Sequence, residues 1–247
     1  MNDQKMILPV PVLDHPHWRV NIRPGEYQKD LIPSLAACYE TIEKTKLSLR
    51  GWDYPHLSNR STERATGANW VSSWSAFWGH FEYWRLYQSG QFIHVFAVRE
   101  VTEVEWRKKL ESDMRNHLSF MKDIDWNTVP GFISIVNFLY NVTEVFEFAT
   151  RLCQVGLYKG VVTIGIGIKG IKGFVLSMDT NRVWHSYYAA GEDNIANSWS
   201  IKGEDLIAES SDYALSAVHW FFERFNWLSF KKELLKQDQE NFLKRRI

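Results

Sequence analysis

The sequence predicts an α+β fold: an antiparallel sheet with one crossover helix, packed with a C-terminal layer of helices and a β-hairpin. Three observations lead there. Runs that alternate apolar and polar residues crowd the first half of the chain, two of them flanking Ser89-Gly90. A long apolar segment with helical spacing, Phe132 to Val155, opens the second half. With 247 residues, 45% hydrophobic and 23% charged, the chain can close a sizeable core.

In chain order, residues 1–16 form an irregular arm, because Pro9, Pro11 and Pro16 prevent regular structure. Trp18 to Arg23 alternates as a strand does. Ser34 caps a helix reaching about Thr45, with Leu35, Cys38 and Ile42 on one face. Leu47 to Tyr54 reads as a strand stopped by Pro55, and the polar, aperiodic run His56 to Gly67 as an exposed loop. Asn69 to Phe77 is a further strand, with Trp70, Ser72, Trp74 and Ala76 on one side. His80 to Gln88 and Gln91 to Arg99 form a hairpin. A two-residue Ser89-Gly90 turn sets Gln88 opposite Gln91, hence Arg85 opposite His94, Glu82 opposite Ala97 and His80 opposite Arg99. Both faces of this hairpin are largely apolar, so it belongs at the centre, covered on both sides.

Thr102 and Glu105 make a capping box for a helix carrying Trp106, Leu110, Met114, Leu118 and Met121, to about Lys122. Within Phe132 to Val155, Asn137, Asn141, Glu144, Glu147, Arg151 and Gln154 recur at helical intervals as one narrow polar stripe. Such a helix belongs in a core, and its charges argue against a membrane span. Val161 to Ile168 and Ile171 to Met178 read as strands joined in a tight hairpin, followed by a short extended run, Trp184 to Ala190, and an edge strand, Ser198 to Lys202. A helix from Glu204 or Ser210 to Phe225 follows, then a last helix capped by Ser229 and ending in Lys244-Arg245-Arg246, whose charge complements a helix C-terminus. The chain divides into the arm 1–16, a mainly antiparallel β subdomain 17–125 and a helix-rich α+β subdomain 126–247. The large apolar surface of the long helix fits one continuous core equally well.

Composition excludes several function classes. Basic and acidic residues number 29 each and balance on either side of Asp125, unlike the strongly basic domain of a generic DNA binder. Cys38 and Cys153 have no paired spacing, so neither a disulfide framework nor a zinc knuckle is expected. Cys153 falls in the apolar helix, where a thiol is inert. The first residues lack the continuous apolar core of a signal peptide, so the expected location is cytoplasmic, with no membrane partner. Gly165-Ile166-Gly167-Ile168-Lys169-Gly170 matches a dinucleotide pattern letter for letter, but β structure rather than a helix follows it. Asp14, His15 and His17 lack the fixed offsets of a metal site. No serine-hydrolase elbow or phosphate-cradling loop occurs. No cofactor and no metal are expected.

Three readings of function remain. The first is a non-enzymatic recognition or adaptor module, binding protein or nucleic acid and acting as a homodimer or in a complex. With 12 Trp in the chain, it would use a contiguous aromatic face containing several of Trp52, Trp70, Trp74, Trp78 and Trp84. The second is a hydrolase or nuclease centred on Asp53, His56, His80, Glu82 and Arg99, an acid, bases and a cation that must converge in one pocket. The third is a small-ligand sensor in which Arg85 and His94, beside Tyr87, grip an anion.

Arg50 to His56 (RGWDYPH), Glu82 to Glu100 and Val142 to Cys153 together resemble the region that accompanies Schlafen-type AlbA-like domains in bacterial proteins. The AlbA-like domain, to which the nucleic-acid or nucleotide chemistry of those proteins is credited, is absent here, so no catalytic residue is carried over. The resemblance, covering roughly Trp18 to Trp227, implies a companion module beside a nucleic-acid-directed partner, in bacterial stress or defence.

Overall fold

In β1 (His17–Pro24), Trp18, Val20 and Ile22 alternate with Arg19, Asn21 and Arg23, and this strand lies inside the sheet with neighbours on both edges. The computed structural model describes residues 8–118, 124–178 and 186–244. They form an α+β protein around a seven-stranded antiparallel sheet. The other strands of that sheet are β2 (Arg64–Thr66), β3 (Trp70–Phe77), β4 (His80–Tyr87), β5 (Phe92–Ala97), β7 (Val161–Lys169) and β9 (Asn194–Lys202), in the spatial order β2-β3-β4-β5-β1-β7-β9. A separate parallel pair joins β6 (Phe132–Ser134) to β8 (Val175–Ser177). Strands from either side of Asp125 therefore pair through β1 and β7, and one hydrophobic cluster runs from Trp18 to Phe242.

The helices are α1 (Leu35–Thr45), a single turn α2 (Arg99–Thr102), α3 (Val104–His117), α4 (Ile135–Gln154), α5 (Gly203–Arg224) and α6 (Glu233–Lys244). Ser34 caps α1, its hydroxyl accepting from the Ala37 N–H at 3.1 Å. Ser134 caps α4 in the same way through Asn137. The inner face of the sheet packs on this helical layer through rings: Trp18 meets Phe138 edge-on at 4.7 Å, and Phe92 meets Phe148 at 4.8 Å. The outer face of β4 and β5 is covered by the N-terminal arm, whose Val10 and Val12 pack with Tyr83, Val95 and Ala97. The hairpin is therefore central and covered on both sides. Among the described residues no helix is long and apolar enough to cross a membrane.

The hairpin register is one residue away from the expected one. Tyr87 N–H bonds the Gln91 carbonyl at 2.9 Å, closing a three-residue loop in which Gly90 adopts φ +81°. That residue is the left-handed bulge of a three-residue hairpin loop. Glu82 therefore lies opposite Phe96, Trp84 opposite His94, and Arg85 opposite Ile93. A one-residue slip exchanges faces, so His94 joins Glu82 on the inner face and Arg85 faces outward.

Other expectations are corrected too. Leu47 to Tyr54 is not a strand; only an isolated bridge joins its ends, because Gly51 (φ +88°) turns the chain between them. His56 to Gly67 is not wholly an exposed loop, since Leu57 and Ser58 are buried and β2 pairs with β3. The capping box does not form: Thr102 Oγ1 donates to the Arg99 carbonyl, closing α2, and Glu103 occupies the cap of α3. β7 makes no hairpin with β8; it pairs with β1 and β9, while β8 crosses to β6. The edge strand β9 begins at Asn194 rather than Ser198. The kink in α5 at Glu209 joins the two helix starts that the sequence left open. The last helix starts at Glu233, four residues beyond Ser229. Met121, Lys122, Trp184, Arg245 and Arg246 lie outside the described residues.

Candidate functional site

The inner face carries a buried polar cluster organised by the loop Arg50 to His56. Leu47 and Tyr54 exchange backbone hydrogen bonds at 2.8 and 2.7 Å, and the Tyr54–Pro55 peptide is cis. Arg50 reaches from this loop to α4, where its guanidinium grips the Glu144 carboxylate and donates to Asn137 Oδ1 at 2.6 Å and Asn141 Oδ1 at 2.5 Å. The polar stripe of α4 is thus buried from Asn137 to Glu147, half-buried at Arg151 and exposed at Gln154, and its first three members are a receptor for one arginine. Further along, Glu147 accepts from Ser210 at 2.5 Å and Arg151 donates to the Lys46 carbonyl.

Beside this clamp lies Glu82, 3% exposed, accepting from the His56 N–H at 3.0 Å and bonded to His80 Nε2 at 2.9 Å. His94 Nε2 stands 3.7 Å from the same carboxylate, within ion-pair reach but too far for a hydrogen bond. Burial by itself would raise the Glu82 carboxyl; the hydrogen bond and charge of His80, then the nearby imidazole of His94, hold it well below the usual carboxylate range. Tyr54 Oη and both ring nitrogens of His94 are buried without hydrogen-bond partners. Burial, reinforced by the negative charges of Glu144 and Glu82, raises the Tyr54 phenol well above its ordinary value.

Of the five residues expected to form a catalytic centre, Asp53, His80, Glu82 and Arg99 line one small cavity, while His56 contributes through its backbone. The cavity holds about 30 Å³, the share of a single water in the liquid and far too little for an organic substrate. Asp53 is engaged by Lys46 at 2.8 Å and Ser48 at 2.5 Å, which outweigh burial and lower its carboxyl. Arg99 lies between the Trp52 and Trp106 rings at 4.8 and 5.2 Å and pairs with Glu103. Among the described residues no group of three or more His, Cys, Asp or Glu is arranged to hold a metal ion.

The other two expected sites come apart. Arg85 and His94 project from opposite faces, so they cannot grip one anion; Arg85 instead lies over Trp70 at 4.0 Å and donates to Tyr83 and Tyr87. Nor do the five tryptophans form one patch. Trp84 is fully buried, Trp52 borders the inner cavity, and Trp78 stands alone, 93% exposed, in the β3–β4 turn. Only Trp70 and Trp74 share the outer face of β3, half-buried.

The large concavity is on the outer face, across β1, β5, β7 and β9, where it encloses about 890 Å³ beneath the arm residues Leu13 to Pro16. Its floor is made of Gly165 and Gly167, with Ala196 beside them, and Arg19, Asn21 and Lys169 stand around it. Arg19, Arg23 and Lys169 are exposed, as is the acid Asp14 at the rim. His17 is tied down, bonded through Nδ1 to the His15 carbonyl at 2.7 Å and accepting from Arg19 Nε at 3.0 Å. Burial is the main reason its imidazole sits below the ordinary histidine value.

Gly165 is the informative residue. Its backbone is not left-handed, and an added Cβ would meet nothing nearer than the Asn21 carbonyl oxygen, at 3.5 Å. Neither conformation nor packing requires glycine there, whereas at Gly167 the Ala196 methyl would be met at 3.0 Å. A strand-interior glycine unneeded by its own fold marks a place where something else approaches the sheet. The small face of Thr163, Gly165 and Gly167 was visible in the sequence; that it would floor a groove beside Arg19 was not, since β1 and β7 lie far apart in the chain. No protein family model, curated protein or solved structure matches the chain, and none links it to Schlafen-associated regions.

Proposed function

We propose that this protein is a recognition module that binds single-stranded nucleic acid across the part of the sheet's outer face that the N-terminal arm leaves open. The observation carrying this reading is Gly165, which keeps the floor of the ~890 Å³ groove bare where the fold itself would accept a side chain. Two features favour nucleic acid over an acidic peptide. The exposed cations Arg19 and Lys169 stand at the groove, with Arg23 further along the same face of β1, and would meet phosphates, while the exposed acids Asp14 and Asp193 lie at its arm end. On the same face, the register places Gly165, Asn21, Ile93, Arg85 and Ser72 in one row across five strands. Arg85 over the Trp70 ring at 4.0 Å, with Tyr87 alongside, offers planar groups on which bases stack. Four strand spacings span about 19 Å, room for roughly three or four extended nucleotides.

The test is fluorescence anisotropy with labelled ten-nucleotide single strands, a duplex and polyglutamate at low salt. Single strands should bind best, with affinity falling as salt rises. Gly165→Val should weaken binding at least tenfold without lowering the melting temperature, and Arg19→Ala with Lys169→Ala should flatten the salt dependence. Equal binding by the Gly165→Val protein, or a preference for polyglutamate, would sink the proposal.

A further inference from the structure

The sheet has two edges, and they are treated differently. At the β2 side the edge is short and covered: Ser58 N–H bonds Ser73 Oγ at 3.2 Å, that hydroxyl donates to the Glu63 carbonyl at 3.0 Å, and Tyr39 Oη reaches the Ala65 and Ser72 carbonyls. At the other side β9 runs nine residues as an edge, paired to β7 in an unbroken register from Lys202 opposite Val161 to Asn194 opposite Lys169, with no bulge. Proteins protect such edges with charge, proline or a bulge. From Asn194 to Ile201 the strand has no charged residue and no proline.

We infer that β9 pairs with the β9 of a second copy, antiparallel about a two-fold axis at Ser198, to make one continuous sheet. The sequence Asn-Ile-Ala-Asn-Ser-Trp-Ser-Ile-Lys suits itself in that register. Ile195 would face the partner's Ile201 on the inner face, where both are buried at the helical layer. Ala196 would face Ser200, and the serines at the axis would face each other. Lys202, the strand's single charge, falls opposite Asn194, so no like charges meet. The pairing stands on the edge strand alone and does not need the nucleic-acid reading. If both hold, two glycine floors lie three strand spacings apart, about 14 Å, as one longer groove.

Light scattering coupled to size exclusion should report a dimer of the 29.0 kDa chain at micromolar concentration. Ser198→Lys and Ser198→Glu each put like charges face to face at the axis and should give monomers. Mixing the two variants in equal amounts should restore a dimer, a rescue that a folding defect would not show. A wild type still monomeric at about 100 µM would overturn the inference, because mass action favours association at high concentration, as would Ser198→Lys remaining dimeric or a mixture that stays monomeric. Each result is independent of whether oligonucleotides bind.

Discussion

On the inner face of the sheet nearly every charge has a partner, whereas on the outer face Arg19 and Lys169 stand exposed around a glycine floor. Arg50 is held by Glu144, Asn137 and Asn141, and Glu82 by His80 and the His56 N–H. Buried charges must be paired to exist at all, so convergence of acids and bases inside the core tells more about folding than about catalysis. A half-buried strand glycine that packing does not demand carries the opposite information. The inner cluster should therefore control stability and leave binding alone, and the groove should do the reverse.

Glu144→Ala breaks this comparison most severely if it is wrong. It strands the Arg50 guanidinium against α4, which should cost about 3–5 kcal/mol, read as a lower urea midpoint with unchanged slope. Oligonucleotide affinity of the protein that remains folded should not change. A variant as stable as wild type would mean that Arg50 is not clamped as described.

Glu82 gives the same contrast a pH signature. Its carboxyl lies below the ordinary value of 4.5 in the folded protein because of His80 and His94, despite burial. The stabilisation is thus fully present above about pH 4.5 and is lost as pH falls below it. Urea melts should show wild-type stability falling progressively from about pH 5 downward without levelling at pH 3, and Glu82→Gln should flatten that limb while lowering stability at neutral pH. An unchanged acid limb would remove Glu82 from the account.

How much of this was legible beforehand depends on distance along the chain. The strands β1, β3, β4 and β5, the caps Ser34 and the core helix α4 followed from local periodicity. The hairpin offset was misread although a signal existed: glycine stands last in Gln88-Ser89-Gly90, which suits the left-handed third position of a three-residue loop better than a two-residue turn that would need Ser89 left-handed as well. That single slip moved His94 to Glu82 and dissolved its pairing with Arg85. The Arg50 receptor was not legible, because nothing near Asn137, Asn141 or Glu144 announces an arginine more than eighty residues away. The groove was hidden for the same reason.

Trp78 sharpens the contrast at a single turn. It has φ +47° beside Gly79 at φ +80°, in a two-residue turn where asparagine is the favoured first residue. A bulky left-handed residue costs about 1–2 kcal/mol. Trp78→Asn should therefore raise the melting temperature by roughly 2–4 °C and leave oligonucleotide binding intact, since the turn is remote from the groove in register. Loss of binding would return Trp78 to the recognition surface.

The smallest expected effect separates fold from function most cleanly. Gly165→Ala adds one methyl over the groove floor, with the Asn21 carbonyl oxygen at an ordinary 3.5 Å. Removing a strand-interior glycine should stabilise the protein by about 0.5–1 kcal/mol, measured as a small upward shift of the urea midpoint, while affinity for single strands falls slightly and less than with Gly165→Val. Stability and binding moving in opposite directions from one methyl group is what a groove kept clear for a ligand requires. If the alanine destabilises the chain instead, the glycine serves the fold, and the outer face loses its strongest claim to a partner.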